Sequence, residues 1–316
     1  MKIQTILLLS TLHAFAAPDA IVSADGSASY RTVQEAINAV PQNTSAKDPW
    51  TILIKPGAYN EVVYIQHEKR HVHLIGEDAA KTIITHNLHA KMTGPDGKEI
   101  GTFRTPTVQF DADDFTCERI TFENSAGPVA QALAIRIDGD RIAFRDCRFL
   151  GFQDTILTNR GRHYFENCTI TGAVDFIFGA GTAFFEECKI VLTRDGYITA
   201  ASTPAGQPHG LVFSNCTIES AKPGIRAYLG RPWRPHAHTV FLNTRMEGVR
   251  PEGWHNWGKR ENESTARYAE FKSTGPGATP SKRVDWARQL TADEVAALTA
   301  GAVLAGDDGW DPAAAE

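Results

Sequence analysis

The most regular feature of the chain is a short alternation of apolar and polar residues that recurs along its middle. The pattern Phe-x-x-Cys-x-Ile/Phe starts at four positions, with weaker copies on either side; the six starts are Phe115, Phe144, Phe165, Phe185, Phe213 and Phe241. The steps between successive starts are 29, 21, 20, 28 and 28 residues. Each copy is rich in Phe, Ile and Val and is bounded by Gly, Asn or Asp, so each is predicted to form a β-strand.

The spacing of these strands predicts a solenoid. No apolar pattern of helical length lies between successive copies, which argues against a sheet of alternating strands and helices. A step of about 20 residues is half of what a β-propeller blade needs. We therefore predict an all-β fold, a single-stranded right-handed parallel β-helix over about residues 50–260. Its stacked coils should place equivalent side chains about 4.8 Å apart.

Helical patterns flank the repeats at both ends. Residues 32–40 have apolar side chains at helical spacing and are followed by Pro41. Residues 291–294 have the sequence of a capping box and precede the apolar segment 295–298. Because an open terminal coil exposes apolar core and strand edges, we predict that both segments form short capping helices.

The N-terminus has the pattern of a secretory signal. Lys2 is followed by an apolar stretch over residues 3–12 and then by Ala-Phe-Ala-Ala. We predict a signal peptide over residues 1–17, cleaved near Ala16 or Ala17, and one domain over residues 18–316. The protein would then be secreted, or periplasmic in a Gram-negative bacterium. After residue 17 no apolar run approaches the roughly 20 residues that cross a bilayer.

Composition narrows the classes of ligand. The 316 residues are 42% hydrophobic and 22% charged, as in globular proteins. The chain has 32 Lys and Arg against 37 Asp and Glu, a net charge of −5. Nucleic-acid binders usually carry a basic excess, so no nucleic-acid partner is expected.

Four of the five cysteines occupy one position of the repeat: Cys147, Cys168, Cys188 and Cys216. Neighbouring coils bring such residues within the Cα range of a disulfide, and export would permit oxidation. Cys168 and Cys188, on adjacent short coils, are the expected pair. A ladder of buried free thiols is the alternative. No metal site is expected, because thiols in a continuous ladder do not converge tetrahedrally.

Two aspartates occupy equivalent points of consecutive coils. Asp154 and Asp175 are 21 residues apart, which equals the step between the corresponding copies of the repeat. Two neighbouring carboxylates cannot both ionise freely, so their proton affinities must separate, as acid–base or nucleophilic catalysis requires. The alternative is a polar ladder without chemistry, because Asp195 occupies the same position of the next repeat.

Polar side chains that suit this pair lie nearby in the sequence. Gln153 precedes Asp154, and Gln131 lies about one coil earlier. Two amides beside two carboxylates suit an oxyanion hole. Arg231, in the segment Leu-Gly-Arg-Pro-Trp, can neutralise one carboxylate with a two-pronged guanidinium.

These motifs, in this order, resemble those of the pectin methylesterases of carbohydrate esterase family 8. The resemblance covers nearly all of the predicted mature chain, from the segment at residues 57–61 to that at residues 229–233. It implies a right-handed parallel β-helix of the pectin lyase-like class. It also implies hydrolysis of galacturonate methyl esters in pectin to methanol and pectate, with no metal or other cofactor.

The resemblance assigns roles to individual residues. Asp175 would be the nucleophile, and Asp154 the general acid and then the general base. Gln131 and Gln153 would stabilise the oxyanion, and Arg231 would hold Asp175 and keep it ionised.

Three further residues are candidates for substrate binding. Trp233 would stack on a sugar ring. For Tyr197 and Thr107, contact with the substrate and packing within the fold are equally expected. The expected partner is methyl-esterified homogalacturonan, bound by a monomer. The rival functions are a lyase that holds Ca²⁺ in clustered carboxylates and a β-helix that binds polysaccharide without catalysis.

Overall fold

The computed structural model describes residues 17–314, so the predicted signal peptide lies outside the described residues except for Ala17. Within this range the chain forms 24 strands: β1 (Ala20–Val22), β2 (Trp50–Ile54), β3 (Gly57–Asn60), β4 (Val63–Ile65), β5 (Val72–Gly76), β6 (Thr82–His86), β7 (Val108–Phe110), β8 (Phe115–Glu118), β9 (Thr121–Asn124), β10 (Ile135–Ile137), β11 (Ile142–Arg145), β12 (Arg148–Leu150), β13 (Ile156–Thr158), β14 (Arg162–Glu166), β15 (Thr169–Gly179), β16 (Thr182–Glu186), β17 (Lys189–Ala201), β18 (Leu211–Ser214), β19 (Thr217–Ser220), β20 (Ala227–Gly230), β21 (His238–Leu242), β22 (Arg245–Met246), β23 (Arg267–Phe271) and β24 (Arg288–Gln289). The α-helices of the same range are α1 (Val33–Ala39), α2 (Ala292–Ala296) and α3 (Ala300–Leu304). Short 3-10 helices span Thr102–Arg104, Arg260–Ser264 and Pro280–Lys282.

The strands wind into three parallel faces. The first face has the order β1-β2-β5-β8-β11-β14-β16-β18-β21-β23-β24. The long strands β15 and β17 bend across a corner and belong to both other faces, since the start of β15 pairs with β12 and its end pairs with β13. We call the face formed by β4, β7, β10, β13, the ends of β15 and β17, and β20 the site face.

The fold is therefore a right-handed parallel β-helix, as the repeat predicts. It extends beyond the expected residues 50–260 in both directions, because β1 and β24 each add an edge to the first face. No helix within residues 17–314 is long and apolar enough to cross a membrane.

The Phe positions of the repeat form a stack inside the solenoid. The ring of Phe185 lies 4.5 Å from that of Phe165 and 4.4 Å from that of Phe213, with the planes within 11° of parallel. The predicted start of the first weak copy, Phe115, lies two residues too early. Cys117, not Phe115, pairs with Phe144 and therefore takes the Phe position of that coil. An irregular outer loop between the coils conceals this shift in the sequence.

The contribution of this stack to the free energy of unfolding can be measured by removing one ring. We expect Phe185→Ala to lower the free energy of unfolding by about 3–5 kcal/mol, because the lost ring leaves a cavity between two other rings. Urea denaturation followed by tryptophan fluorescence measures this change. Val129→Ala removes an exposed side chain and is the control, expected to stay within about 0.5 kcal/mol of wild type. A loss below about 1 kcal/mol for Phe185→Ala would show that the neighbouring rings close the gap.

The cysteines stack as predicted but are all buried free thiols in the structure. The expected Cys168–Cys188 disulfide is not formed. Both sulfurs instead lie against backbone carbonyls, that of Cys168 3.5 Å from the oxygen of Phe144 and that of Cys188 3.5 Å from the oxygen of Phe165. The alternative, a ladder of small apolar thiols, describes these residues.

The predicted helices form, but only one of them covers an end of the solenoid. Helix α1 begins after a capping box of Thr32 and Glu35 and buries three side chains in the core of the N-terminal coils. Helix α2 has the expected capping box, yet the C-terminal helices lie along the outer surface of the first face, where α3 contacts β14 and β16. Val284, Trp286 and Ala287 pack against the last coil instead. The prediction of a C-terminal helical cap is therefore wrong in position.

Candidate active site

The two aspartates stand opposite each other on neighbouring coils of the site face. Gln153 pairs in parallel with Val174, and the N–H of Asp154 donates to the carbonyl of Val174 at 3.1 Å. The register therefore sets Asp154 beside Asp175, on strands about 4.8 Å apart. This is the juxtaposition that the 21-residue spacing predicts.

A backbone turn presents both carboxylates at the same corner. Asp154 has φ 63° and Asp175 has φ 50°, the left-handed region that aspartate tolerates better than most residues. Only 8% of Asp154 and 6% of Asp175 is exposed. Each coil therefore bends at its aspartate, and the carboxylate lies where little of it is exposed to solvent.

Asp195 does not continue this pair into a ladder. The register between β15 and β17 shifts at this corner, so Val174 faces Tyr197. Asp195 is displaced outward, where its carboxylate lies 3.2 Å from Arg250 and accepts the backbone N–H of Arg226 at 2.8 Å. The alternative of a continuous polar ladder is therefore wrong, because the bulge removes its third member.

Arg231 holds one carboxylate of the pair. Its Nε donates to Oδ1 of Asp175 at 2.9 Å and its Nη2 donates to Oδ2 at 2.6 Å. This is the bidentate geometry that gives an arginine–carboxylate pair its strength and orientation. The carboxyl group of Asp154, in contrast, has no hydrogen-bond partner among residues 17–314.

The two carboxyl groups have different proton affinities. Burial raises the pKa of Asp154 well above its ordinary value, the charge of Asp175 raises it further, and Arg231 lowers it in part. Burial also raises the pKa of Asp175, but the hydrogen bonds and charge of Arg231 oppose this rise. A proton shared by the pair therefore resides more readily on Asp154, and Arg231 favours the ionised form of Asp175.

Both glutamines line the same cleft of about 290 Å³. Neither the amide of Gln131 nor that of Gln153 has a hydrogen-bond partner within the described part of the chain, so both amides are available to a ligand. The cleft residues are Thr102, Phe103, Gln131, Gln153, Asp154, Asp175, Phe178, Ala200, Arg231, Trp233 and Trp257. Six of the eight candidates from the sequence thus meet in one place.

Aromatic side chains form the walls of the cleft. The ring of Trp233 lies 5.7 Å from that of Phe178 and 6.4 Å from that of Phe103. Phe103 belongs to the irregular segment between β6 and β7, and Trp257 follows the last strand of the site face, so no repeat pattern marks either residue. An aromatic residue in a polar loop is the only signal that the sequence carries for either of them; in the structure Phe103 is 45% exposed and Trp257 is partly buried.

For Thr107 and Tyr197 the sequence left substrate contact and packing equally open, and in the structure neither residue lines the cleft. Thr107 is fully buried and its hydroxyl donates to the carbonyl of Glu123 at 2.8 Å, so it packs inside the solenoid. Tyr197 does not line the cleft, because the guanidinium of Arg231 covers its ring at 3.8 Å. The second face of that guanidinium lies 3.8 Å from the ring of Trp257. Tyr197 is thus a support for Arg231 rather than an open platform for a sugar.

A larger groove, of about 760 Å³, lies between the first face and the C-terminal tail. Several of its charged side chains form ion pairs, among them Arg141 with Asp114 at 2.6 Å and Arg145 with Glu166 at 3.1 Å. Nothing in it matches the unpartnered Asp154 of the smaller cleft. In residues 17–314 no group of three or more His, Cys, Asp or Glu side chains is placed to hold a metal ion.

Comparison with known proteins agrees with this geometry. The pectinesterase family model matches residues 19–307. Pectinesterase 31 of Arabidopsis thaliana is 41% identical, over 86% of this chain and 88% of its own. The structure of the pectin methylesterase from carrot superposes with a TM-score of 0.85 at 33% identity, over 93% of this chain and 95% of that one. A pectin methylesterase solved in complex with a hexasaccharide superposes with a TM-score of 0.82 at 31% identity, over 95% and 100% of the two chains.

Proposed function

Because the chain belongs to the pectinesterase family, we propose that its cleft hydrolyses the methyl esters of galacturonate in pectin, with Asp175 as nucleophile and Asp154 as general acid and base. The enzyme is a carboxylic ester hydrolase, and its products are methanol and pectate. The observation that carries the proposed roles is the unequal pair: one buried carboxylate is held ionised by Arg231, and its neighbour is buried without a partner.

The first half of the reaction forms an acyl-enzyme. An oxygen of Asp175 attacks the ester carbonyl carbon, and the negative charge moves to the carbonyl oxygen. The amide N–H groups of Gln131 and Gln153 stabilise this oxyanion, which is the largest single contribution in many acyl transfers. As the intermediate collapses, Asp154 gives its proton to the methoxy oxygen. Methanol leaves, and Asp175 is joined to the galacturonyl group as an anhydride.

The second half consumes water and restores the site. Asp154, now ionised, takes a proton from a water molecule, whose oxygen attacks the same carbonyl carbon. The bond to Asp175 breaks, its carboxylate returns to Arg231, and the new galacturonic acid ionises on release. Asp154 is again protonated, so the pair is ready for another turnover.

The walls of the cleft suit the proposed substrate. The apolar faces of pyranose rings pack on aromatic side chains, and Phe103, Phe178 and Trp233 present such rings beside the two carboxylates. A homologous pectin methylesterase was solved in complex with a hexasaccharide, which supports a polysaccharide substrate, here methyl-esterified homogalacturonan. The N-terminal signal pattern supports export.

The proposed activity predicts products and a response to chelation. We expect the purified enzyme to release methanol from methyl-esterified homogalacturonan at the same rate with and without a chelator, because amides, carboxylates and a guanidinium supply the chemistry. Methanol is measured by alcohol oxidase coupling and unsaturated uronate by ultraviolet absorbance. Absorbance without methanol, lost on chelation, would indicate a lyase. Binding of the polymer with neither product would indicate a non-catalytic β-helix.

A further inference from the structure

The guanidinium of Arg231 lies between two aromatic rings. Its central carbon is 3.8 Å from the ring centre of Tyr197 and 3.8 Å from that of Trp257. These distances are short for cation–π contacts, which extend to about 6 Å. Only 19% of the Arg231 side chain is exposed, so the contacts form largely out of water. We call Tyr197 and Trp257 the aromatic clamp.

The clamp is itself supported on both sides. The ring of Tyr197 stacks on that of Tyr228, one coil further along, at 5.4 Å and 12° between planes. The backbone N–H of Trp257 donates to Nδ1 of His255 at 3.0 Å, and the His255 ring packs against Tyr197 at 5.5 Å. Two coils of the site face and the loop after them therefore hold the two rings.

The faces of a guanidinium contact aromatic rings, whereas its edge donates hydrogen bonds. Its five N–H groups point outward in the plane, and its faces carry no donor. Rings on both faces leave motion in the plane but oppose tilting out of it. The in-plane donors Nε and Nη2 are those that reach Asp175. Ring contacts thus hold the plane of Arg231 in line with the carboxylate that it orients.

We propose that Tyr197 and Trp257 are positioning residues, whose rings fix the plane of Arg231 and thereby keep the nucleophile Asp175 ionised and aligned. The inference rests on the proposed function and extends it to residues that do not touch the reacting atoms. Loosening the clamp weakens the bidentate contact, so Asp175 takes up a proton more readily.

The acid limb of the pH profile of kcat/KM tests this role. That limb reports ionisation of Asp175 in the free enzyme. We expect Tyr197→Leu and Trp257→Leu to move its midpoint upward by about 0.5–1 pH unit, a part of the 1–3 units that a neighbouring opposite charge supplies. Tyr197→Phe keeps the ring and is expected to restore the wild-type midpoint. Tyr228→Leu should move it in the same direction by less.

The other groups around Asp175 do not account for such a shift. Asp154 on the preceding coil carries the shared proton and sets the alkaline limb. Burial raises the pKa of Tyr268 well above its ordinary value, so Tyr268 is uncharged over the acid limb. Burial and the charge of Arg231 lower the pKa of His255, and this residue is present in the wild type and in every variant. Arg231 stays cationic throughout.

The outcomes separate this inference from the proposed function. If the wild type releases no methanol, the proposed function fails. If the wild type is active and the leucine variants keep the wild-type acid limb, the positioning role is refuted, even where their activity falls. A rise in KM with an unmoved limb would show that Trp257 is a sugar contact only. Should Tyr197→Leu not fold, Trp257→Leu and Tyr228→Leu carry the same comparison.

Discussion

Replacing Asp175 with asparagine is expected to lower kcat for methanol release by at least about 10⁴-fold, with no loss of the folded state. Removing the nucleophile of a comparable covalent hydrolase costs about 10⁶-fold, and the oxyanion donors and substrate binding retain some catalysis. An amide at this position still accepts from Arg231 but cannot form the anhydride. Methanol release by single-turnover and steady-state kinetics, with circular dichroism of both proteins, measures the effect.

The chain offers a matched control for that variant. Asp195 occupies the same position of the next repeat and also meets an arginine, but the bulge in β17 places it outside the cleft. Asp195→Asn is expected to keep kcat within about twofold of wild type, as a surface change of small energy should. If Asp175→Asn kept a tenth or more of wild-type kcat, Asp175 would not be the nucleophile.

Replacing Asp154 with asparagine is expected to lower kcat by about 10²–10⁴-fold, the usual contribution of a general acid–base group. It should also change the shape of the pH profile. In the wild type, we expect kcat/KM to rise as Asp175 ionises and to fall as Asp154 loses its proton, which gives a bell-shaped profile. Burial and the charge of Asp175 place the second midpoint well above the ordinary aspartate pKa. The variant should lose the alkaline limb and keep the acid one.

A second substrate separates the role of Asp154 as an acid in acylation from its role as a base in deacylation. A para-nitrophenyl ester has a leaving group that needs no proton, so acylation of Asp154→Asn by it should be much less impaired than with the methyl ester. Deacylation still lacks its base, so we expect a stoichiometric burst of nitrophenol and a stalled acyl-enzyme that mass spectrometry detects. Asp146→Asn is the control, an exposed aspartate of the same coil with φ 53°. An unchanged alkaline limb in Asp154→Asn would exclude Asp154 as the acid.

The repeat in the sequence predicts those parts of the site that follow the coil period. Asp154 and Asp175 are separated by one short coil without an insertion, so counting residues predicts their contact. Counting fails at Cys117 and Asp195, because a bulge or an irregular loop changes the register without changing the apolar pattern. Local sequence cannot show such a shift, since it depends on how two coils pack.

The rest of the site comes from segments outside the repeat. Phe103 and Trp257 reach the cleft from loops whose path depends on contacts distant in sequence. For Tyr197 the sequence predicts a position on the site face, but it does not predict the contact with Arg231. Only the observed contact with Arg231 shows that its ring supports a guanidinium. The C-terminal helices are likewise predictable in their capping boxes but not in where they dock.

At the corner where β15 and β17 bend, the two carboxylates lie apart from the loops whose lengths differ from coil to coil. Asp154 and Asp175 lie on two of the shortest coils, whereas the longer coils carry their extra residues as loops between strands. Such loops can lengthen, shorten or change sequence without altering the pitch that spaces the carboxylates. The scaffold therefore tolerates insertions at its rim, and transplanted wall loops offer a route to new polymer selectivity with the same ester chemistry.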